Sequence, residues 1–237
     1  MNQVSRPTLL ATFAALALGP GQLTAQGRLI SAEAFSDLTV GDIPSVAIDY
    51  TIVPDERGGT VPVEGLAFGG ARIMDVRAFA LGRELDVSLS VVGDSRVVGE
   101  VAIPLNRVAG QPFSFQLVYR VEGAEERDGT LTLYRLPILA VAWPSEEALP
   151  ETFTVVVEVS DTLTVYESFP SGLREVETAV GAPRYRLSLP VIPALVSLRT
   201  SRGPPPTGTL PRVLDLFVLV LLAGFGALGW RRLRAMS

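Results

Sequence analysis

Strict alternation is the feature that most narrows the folds open to this chain. Phe113, Phe115, Leu117, Tyr119 and Val121 take every second position, with Ser114, Gln116, Val118 and Arg120 between them. Successive side chains of an extended strand point to opposite faces, so this spacing gathers five apolar groups on one side of a sheet. A helix would scatter the same residues around its circumference. The pattern recurs at Val46, Ile48, Tyr50 and Ile52, and again at Leu85, Val87, Leu89 and Val91 with Asp86, Ser88 and Ser90 opposite. Shorter extended segments are expected at residues 60–63, 72–80, 97–103, 130–136, 138–143, 153–159, 163–169, 185–189 and 194–198. Gly, Pro, Asp and Ser punctuate them.

Helical periodicity is almost absent. The implied fold class is all-β, an antiparallel β-sandwich of the immunoglobulin-like kind. It is either one large sandwich or two in tandem, with residues 143–150 as the boundary. Residues 113–121 and 130–136 read as a hairpin around the polar loop 122–129, and residues 153–159 and 163–169 as a second, turning at Ser160-Asp161. Pro137 restricts the following segment to an edge or a bend. Residues 26–45 read as a mixed lead-in with a helical turn at Ala32-Glu33-Ala34-Phe35, and residues 173–183 as a looser connection.

The two ends carry different signals. Residues 213–230, VLDLFVLVLLAGFGALGW, hold one charge, Asp215, near the leading end. As a helix they would extend roughly 27 Å, close to the hydrocarbon thickness of a bilayer. Trp230 and the arginines at 231, 232 and 234 follow, an interfacial aromatic and a cluster normally kept in the cytoplasm. Residues 1–25 have the layout of a secretory signal peptide: Arg6, the apolar run 9–18, the Gly19-Pro20-Gly21 break and Leu23-Thr24-Ala25 before a cut. The expected organisation is therefore signal peptide 1–25, extracytoplasmic β-sandwich region 26–199, Pro-rich stem 200–212, transmembrane helix 213–230 and cytoplasmic Arg-rich tail 231–237. Three consecutive prolines at 204–206 favour a stiff stem. Ala223, Gly226 and Ala227 put small residues on one helix face, which would permit a weak homodimer through the membrane helix, although small residues are common in such helices.

Composition restricts the chemistry. The chain of 237 residues has no Cys, no His and no Lys. Arg as sole basic residue, with abundant Ala, Gly, Pro and Val, is the coding bias of a GC-rich bacterial genome. Between residues 26 and 212 there are 16 arginines against 24 acidic residues, a difference of −8. An acidic exterior argues against nucleic acid as a partner. Without His, Lys or Cys there is no Ser-His-Asp triad, no imidazole-bound zinc, no Schiff base and no thiol chemistry. A carboxylate pair remains, as in glycosidases, but no pattern singles out two acids. No catalytic, cofactor-binding or metal residue is assigned, no cofactor is expected, and the protein is read as not an enzyme.

Two further signals are weaker. Glu122, Glu125, Glu126 and Asp128 offer closely spaced oxygen ligands for calcium, but the spacing matches no EF-hand, and a solvated hairpin tip is the simpler reading. Tyr119, Tyr134, Trp143, Tyr166 and Tyr185 either line a binding cleft or pack between strands. Residues 204–234, a linker, an apolar helix and a terminal arginine cluster, resemble the tripartite C-terminal sorting signals processed by exosortase-type enzymes. Gly203-Pro204-Pro205-Pro206 stands where those signals carry Pro-Glu-Pro. The resemblance implies cleavage and release of the body, whereas an ordinary anchor is retained.

Taken together, the sequence predicts a single-pass bacterial cytoplasmic-membrane protein with its N-terminal domain outside. Its expected role is non-catalytic binding or scaffolding at the cell envelope, with another envelope protein as partner, through a strand edge or the loops at one end. A small-ligand, glycan or ion-binding module is the alternative, and a carboxylate-based hydrolase the third reading.

Overall fold

A computed structural model describes residues 27–39, 43–147, 149–176 and 181–203. The expected signal peptide, transmembrane helix, tail and most of the stem lie outside the described residues. The strands in chain order are β1 (Gly27–Leu38), β2 (Ser45–Pro54), β3 (Thr60–Leu66), β4 (Arg72–Ala80), β5 (Arg83–Leu85), β6 (Val87–Val92), β7 (Arg96–Ala102) and β8 (Phe113–Glu122). They continue with β9 (Glu125–Asp128), β10 (Leu131–Pro137), β11 (Ala140–Val141), β12 (Phe153–Val159), β13 (Thr164–Phe169), β14 (Arg174–Val176), β15 (Arg184–Leu189) and β16 (Leu195–Ser201). The described residues are all-β and contain no helix.

Three open sheets result. The largest has eight strands in the order β14-β15-β12-β1-β2-β8-β4-β5; the others run β13-β16-β10-β9 and β11-β3-β7-β6. The alternating residues that marked β8 and β2 are buried as expected, with Leu117, Ile48 and Ala34 level with one another across three strands. The small sheets contribute Val61, Val63, Val97 and Val101, and Leu136, Val196 and Leu198, to the same hydrophobic core. Burial of one face per strand is what the period of two dictates, and removal of that apolar area from water is the main stabilising term.

A single core and a shared sheet exclude the tandem arrangement for the described residues. β1 near the start pairs with β12 after residue 150, from Ala32↔Phe153 to Leu38↔Val159, and does so in parallel. This is the one departure from antiparallel pairing among the named strands. Within the expected lead-in, Gly27–Leu38 is accordingly a full strand. The segment expected to form a helical turn lies inside β1, between β2 and β12. Between the buried Leu29 and Leu38 near its ends, the inward residues of β1 are Ala32, Ala34 and Ser36, too small to register as an apolar stripe.

Neither expected hairpin forms. β8 pairs with β2 and β4, while β10 pairs with β16 and β9, so residues 122–129 are not a free loop but contain a strand. β12 pairs with β1 and β15, and β13 with β16 in another sheet. Turn residues report that the chain reverses; they do not report which strand it reverses onto. The segment 85–92 is also interrupted, because β5 belongs to the large sheet and β6 to a small one. The looser connection 173–183 contains the short β14.

Two buried tyrosines tie the layers. The Tyr119 hydroxyl donates to the Pro137 carbonyl at 2.7 Å and accepts from the Leu139 amide at 3.3 Å. The Tyr50 hydroxyl donates to the Leu139 carbonyl. Backbone groups in the bend from β10 into β11 are thus satisfied inside the core, where leaving them unpaired would be costly.

Candidate binding surface

The outer face of the sheet β13-β16-β10-β9 carries a shallow groove. Its strands turn Tyr134, Leu136, Val196, Leu198 and Thr200 toward the core. The intervening residues necessarily face outward. Register places Leu133 beside Arg199, and Arg135 beside Ser197, on neighbouring strands β10 and β16. On the other flank of β16, Glu167 meets Arg199 and Phe169 meets Ser197. A shallow groove of about 160 Å³ runs between these side chains, with Leu133 and Leu195 along it and Phe169 beside it. Phe169 is 62% exposed.

Charge is paired around this groove. Arg135 contacts Glu126 at 2.6 Å, and Arg199 contacts Glu167 at 2.8 Å. Arg199 and Glu167 are both exposed, and such pairs contribute only about 0–1 kcal/mol, whereas Arg135 is more enclosed than its partner. A ligand carboxylate would therefore displace Glu167 at little cost. Gly69, at a positive φ of 63°, lies close over the Arg135 guanidinium; a Cβ there would stand 3.0 Å from Nη1. Glycine lets the loop before β4 approach that side chain closely.

The acidic residues that offer calcium ligands in sequence do not converge. Glu125 pairs with Arg127, Glu126 with Arg135, and Glu122 with Arg72 at 4.0 Å. Consecutive positions of β9 point to opposite faces, so Glu125 and Glu126 are turned apart. Among the described residues, no group of three His, Cys, Asp or Glu is placed to hold a metal ion.

Of the aromatics, Tyr119, Tyr134 and Trp143 are buried, with Trp143 packed against Gly27. Tyr166 and Tyr185 are half-buried and belong to different sheets. They do not line one cleft. Burial and the nearby Glu125 raise the pKa of Tyr134, in that order. The groove residues Phe169, Glu167 and Arg199 carried no sequence signal of their own. They come together only through pairing of β13 with β16, which no local pattern announces.

No protein-family model matches the chain, and no curated protein matches it in sequence. Solved structures give a distant likeness. The M1 zinc metallopeptidase of Deinococcus radiodurans aligns at 18% identity and a TM-score of 0.42, over 74% of this chain and 42% of that one. An aminopeptidase N family protein from Idiomarina loihiensis aligns at 11% identity and a TM-score of 0.43, over 72% and 29%. The chain thus spans less than half the length of these proteins, and a likeness at this level carries no conclusion about activity.

Proposed function

We propose that this chain is a membrane-anchored, extracytoplasmic β-sandwich protein whose role is non-catalytic binding or scaffolding at the bacterial cell envelope. The observation that carries the reading is the apolar run 213–230 with its trailing arginines, placed after an all-β body that holds no His, Lys or Cys. A run of that length suits a bilayer, and positive charge beyond it favours a cytoplasmic end. The body then stands outside, joined by the proline stem, with its partner another envelope protein.

The test is fractionation of cells expressing the full-length chain, followed by protease treatment of spheroplasts. Expected is a membrane-bound protein whose body is digested from outside while an epitope after Ser237 is protected. Recovery in the soluble cytoplasmic fraction, or a body protected until lysis, would overturn the reading.

A second reading, a module for a small anionic ligand, is favoured by one observation: Leu133 and Leu195 lie beside two arginines, one of them, Arg199, in an exposed ion pair. Arg199→Ala removes one anion partner without disturbing the core. Under this reading, a carboxylate ligand that raises the melting temperature of the parent fails to do so for R199A. An unchanged shift removes the groove from consideration.

A further inference from the structure

The groove on the sheet β13-β16-β10-β9 is deepest where one small residue stands between two large ones. Ser197 of β16 lies directly between Arg135 of β10 and Phe169 of β13. Neighbouring strands are about 4.8 Å apart, so the backbones carrying Arg135 and Phe169 are separated by roughly two such spacings, with only a hydroxymethyl group between them. Leu195 and Arg199, two positions either way along β16, share this face and close the ends of the notch. Leu133 lies diagonally beside it, opposite Arg199. The space, about 160 Å³, is that of one side chain, since a cavity of about 150 Å³ takes a benzene molecule.

The charges at this notch come as a matched pair, not as a single sign. Arg199 and Glu167 face each other on β16 and β13, joined at 2.8 Å and both exposed. Arg135 is held against Glu126 at 2.6 Å and under the loop at Gly69. The pair that can open at the notch is therefore Arg199–Glu167. A plain carboxylate that takes Arg199 from Glu167 leaves two carboxylates side by side, and like charges at that distance repel. A zwitterion leaves no such contact. Its carboxylate takes Arg199, its ammonium takes Glu167, and one ion pair becomes two. An α-amino acid carries both charged groups on one carbon, which suits partners that face each other on adjacent strands. A peptide separates its terminal charges by its own length, so this pair meets only one of them.

We infer that this notch binds a free α-amino acid with an apolar side chain. The carboxylate sits on Arg199, the ammonium on Glu167, and the side chain over Ser197 against Phe169, Leu195 and Leu133. Removal of these apolar surfaces from water supplies the attraction, and a ring on the ligand gains further from Phe169. The charge pair supplies selectivity, because a ligand with one charge leaves either Arg199 or Glu167 without its partner. The inference rests on the second reading of function above and narrows its ligand from an anion to a zwitterion.

The test titrates the full-length chain in detergent, near neutral pH, with probes of one shape, and reads binding by calorimetry. The probes are L-phenylalanine, 3-phenylpropionate, which lacks the ammonium, and 2-phenylethylamine, which lacks the carboxylate. Expected is a one-to-one isotherm for L-phenylalanine, with a Kd lower by about tenfold or more than that of either analogue. If 3-phenylpropionate binds as tightly as L-phenylalanine, the zwitterion is overturned and the anionic reading stands. If the amine binds as tightly, or if no probe binds, both are overturned.

Two substitutions on the outer face then locate the ligand. Glu167→Gln keeps the length of the side chain and removes its charge. It is expected to raise the Kd for L-phenylalanine to that of 3-phenylpropionate, whose own binding is unchanged or tighter. Ser197→Tyr fills the notch with a residue that suits a strand. The expected outcome is a melting temperature close to the parent's and no heat with L-phenylalanine. An E167Q variant that still prefers L-phenylalanine, or an S197Y variant that still binds it, would place the ligand elsewhere and overturn the inference.

Discussion

Tyr50 and Tyr119 show how much one hydroxyl can matter in a core of hydrocarbon. Tyr119→Phe keeps the ring but leaves the Pro137 carbonyl and the Leu139 amide without this partner. The expected loss is about 1–3 kcal/mol, read as a lower urea midpoint with unchanged slope. Burial raises the pKa of both phenols well above the usual 10, with the neighbouring Tyr119 adding to the shift at Tyr50. The unfolded chain ionises near 10 while the folded chain keeps its protons. Stability from these groups is therefore complete below pH ~10 and falls as pH rises beyond it, by about 1.4 kcal/mol per pH unit for each tyrosine. Urea unfolding at pH ~9 to ~11 should show this decline. It should be shallower in Y119F; an identical decline would mean that Tyr119 does not contribute. The inward direction of both rings was legible from alternation in β2 and β8. Their bonds were not, because the acceptors lie in a bend far along the chain.

At the scale of elements, strands with large inward residues were readable and strands with small ones were not. β8 and β2 begin or end where alternation and punctuation place them. β1 escaped because Ala32, Ala34 and Ser36 face the core, yet it lies between β2 and β12 in the eight-stranded sheet. Small side chains there leave room for Tyr50 and Phe115, which stack with centroids 5.1 Å apart. Ala34, two residues beyond Ala32, is buried between Ile48 and Val155, so Ala34→Leu would overfill the layer and is expected to cost about 1–3 kcal/mol, measured by chemical denaturation. An unaffected midpoint would mean that the layer is looser than the burial of Ala34 implies. Gly99 makes a related point in β7. A Cβ there would strike the Ser88 carbonyl oxygen and the Leu89 side chain. Backbone cannot yield as a flexible side chain does, so Gly99→Val should release β6 selectively. Amide exchange should quicken at Ser88 and Ser90, whose amides face β7, while β2 and β8 stay protected. Protection retained along β6 would contradict the close approach.

For the whole molecule, connectivity decides cooperativity. The sequence suggested a seam at residues 143–150, where Trp143, Pro144 and Pro150 interrupt the alternation, but the seam is only a crossing loop. β12 and β15 extend the sheet begun by β1, and β16 completes the small sheet begun by β10. Cutting there would strip β1 of one neighbour and expose Leu136, Val196 and Leu198 together, since they share one core. The loss of apolar burial would far exceed the few kcal/mol by which a domain of this size is stable. Residues 27–143 and 150–203 are therefore expected to be unfolded when expressed apart. The full-length chain should melt its β body in one transition, with calorimetric and van't Hoff enthalpies in agreement. Two resolved transitions, or a folded fragment with dispersed amide resonances, would show that the parallel β1–β12 seam is not structural. Pairings between strands so distant in sequence also make chain closure the slow step. Refolding should be correspondingly slow, and Ala34→Leu should slow it further if β1 joins β12 before the small sheets close over them.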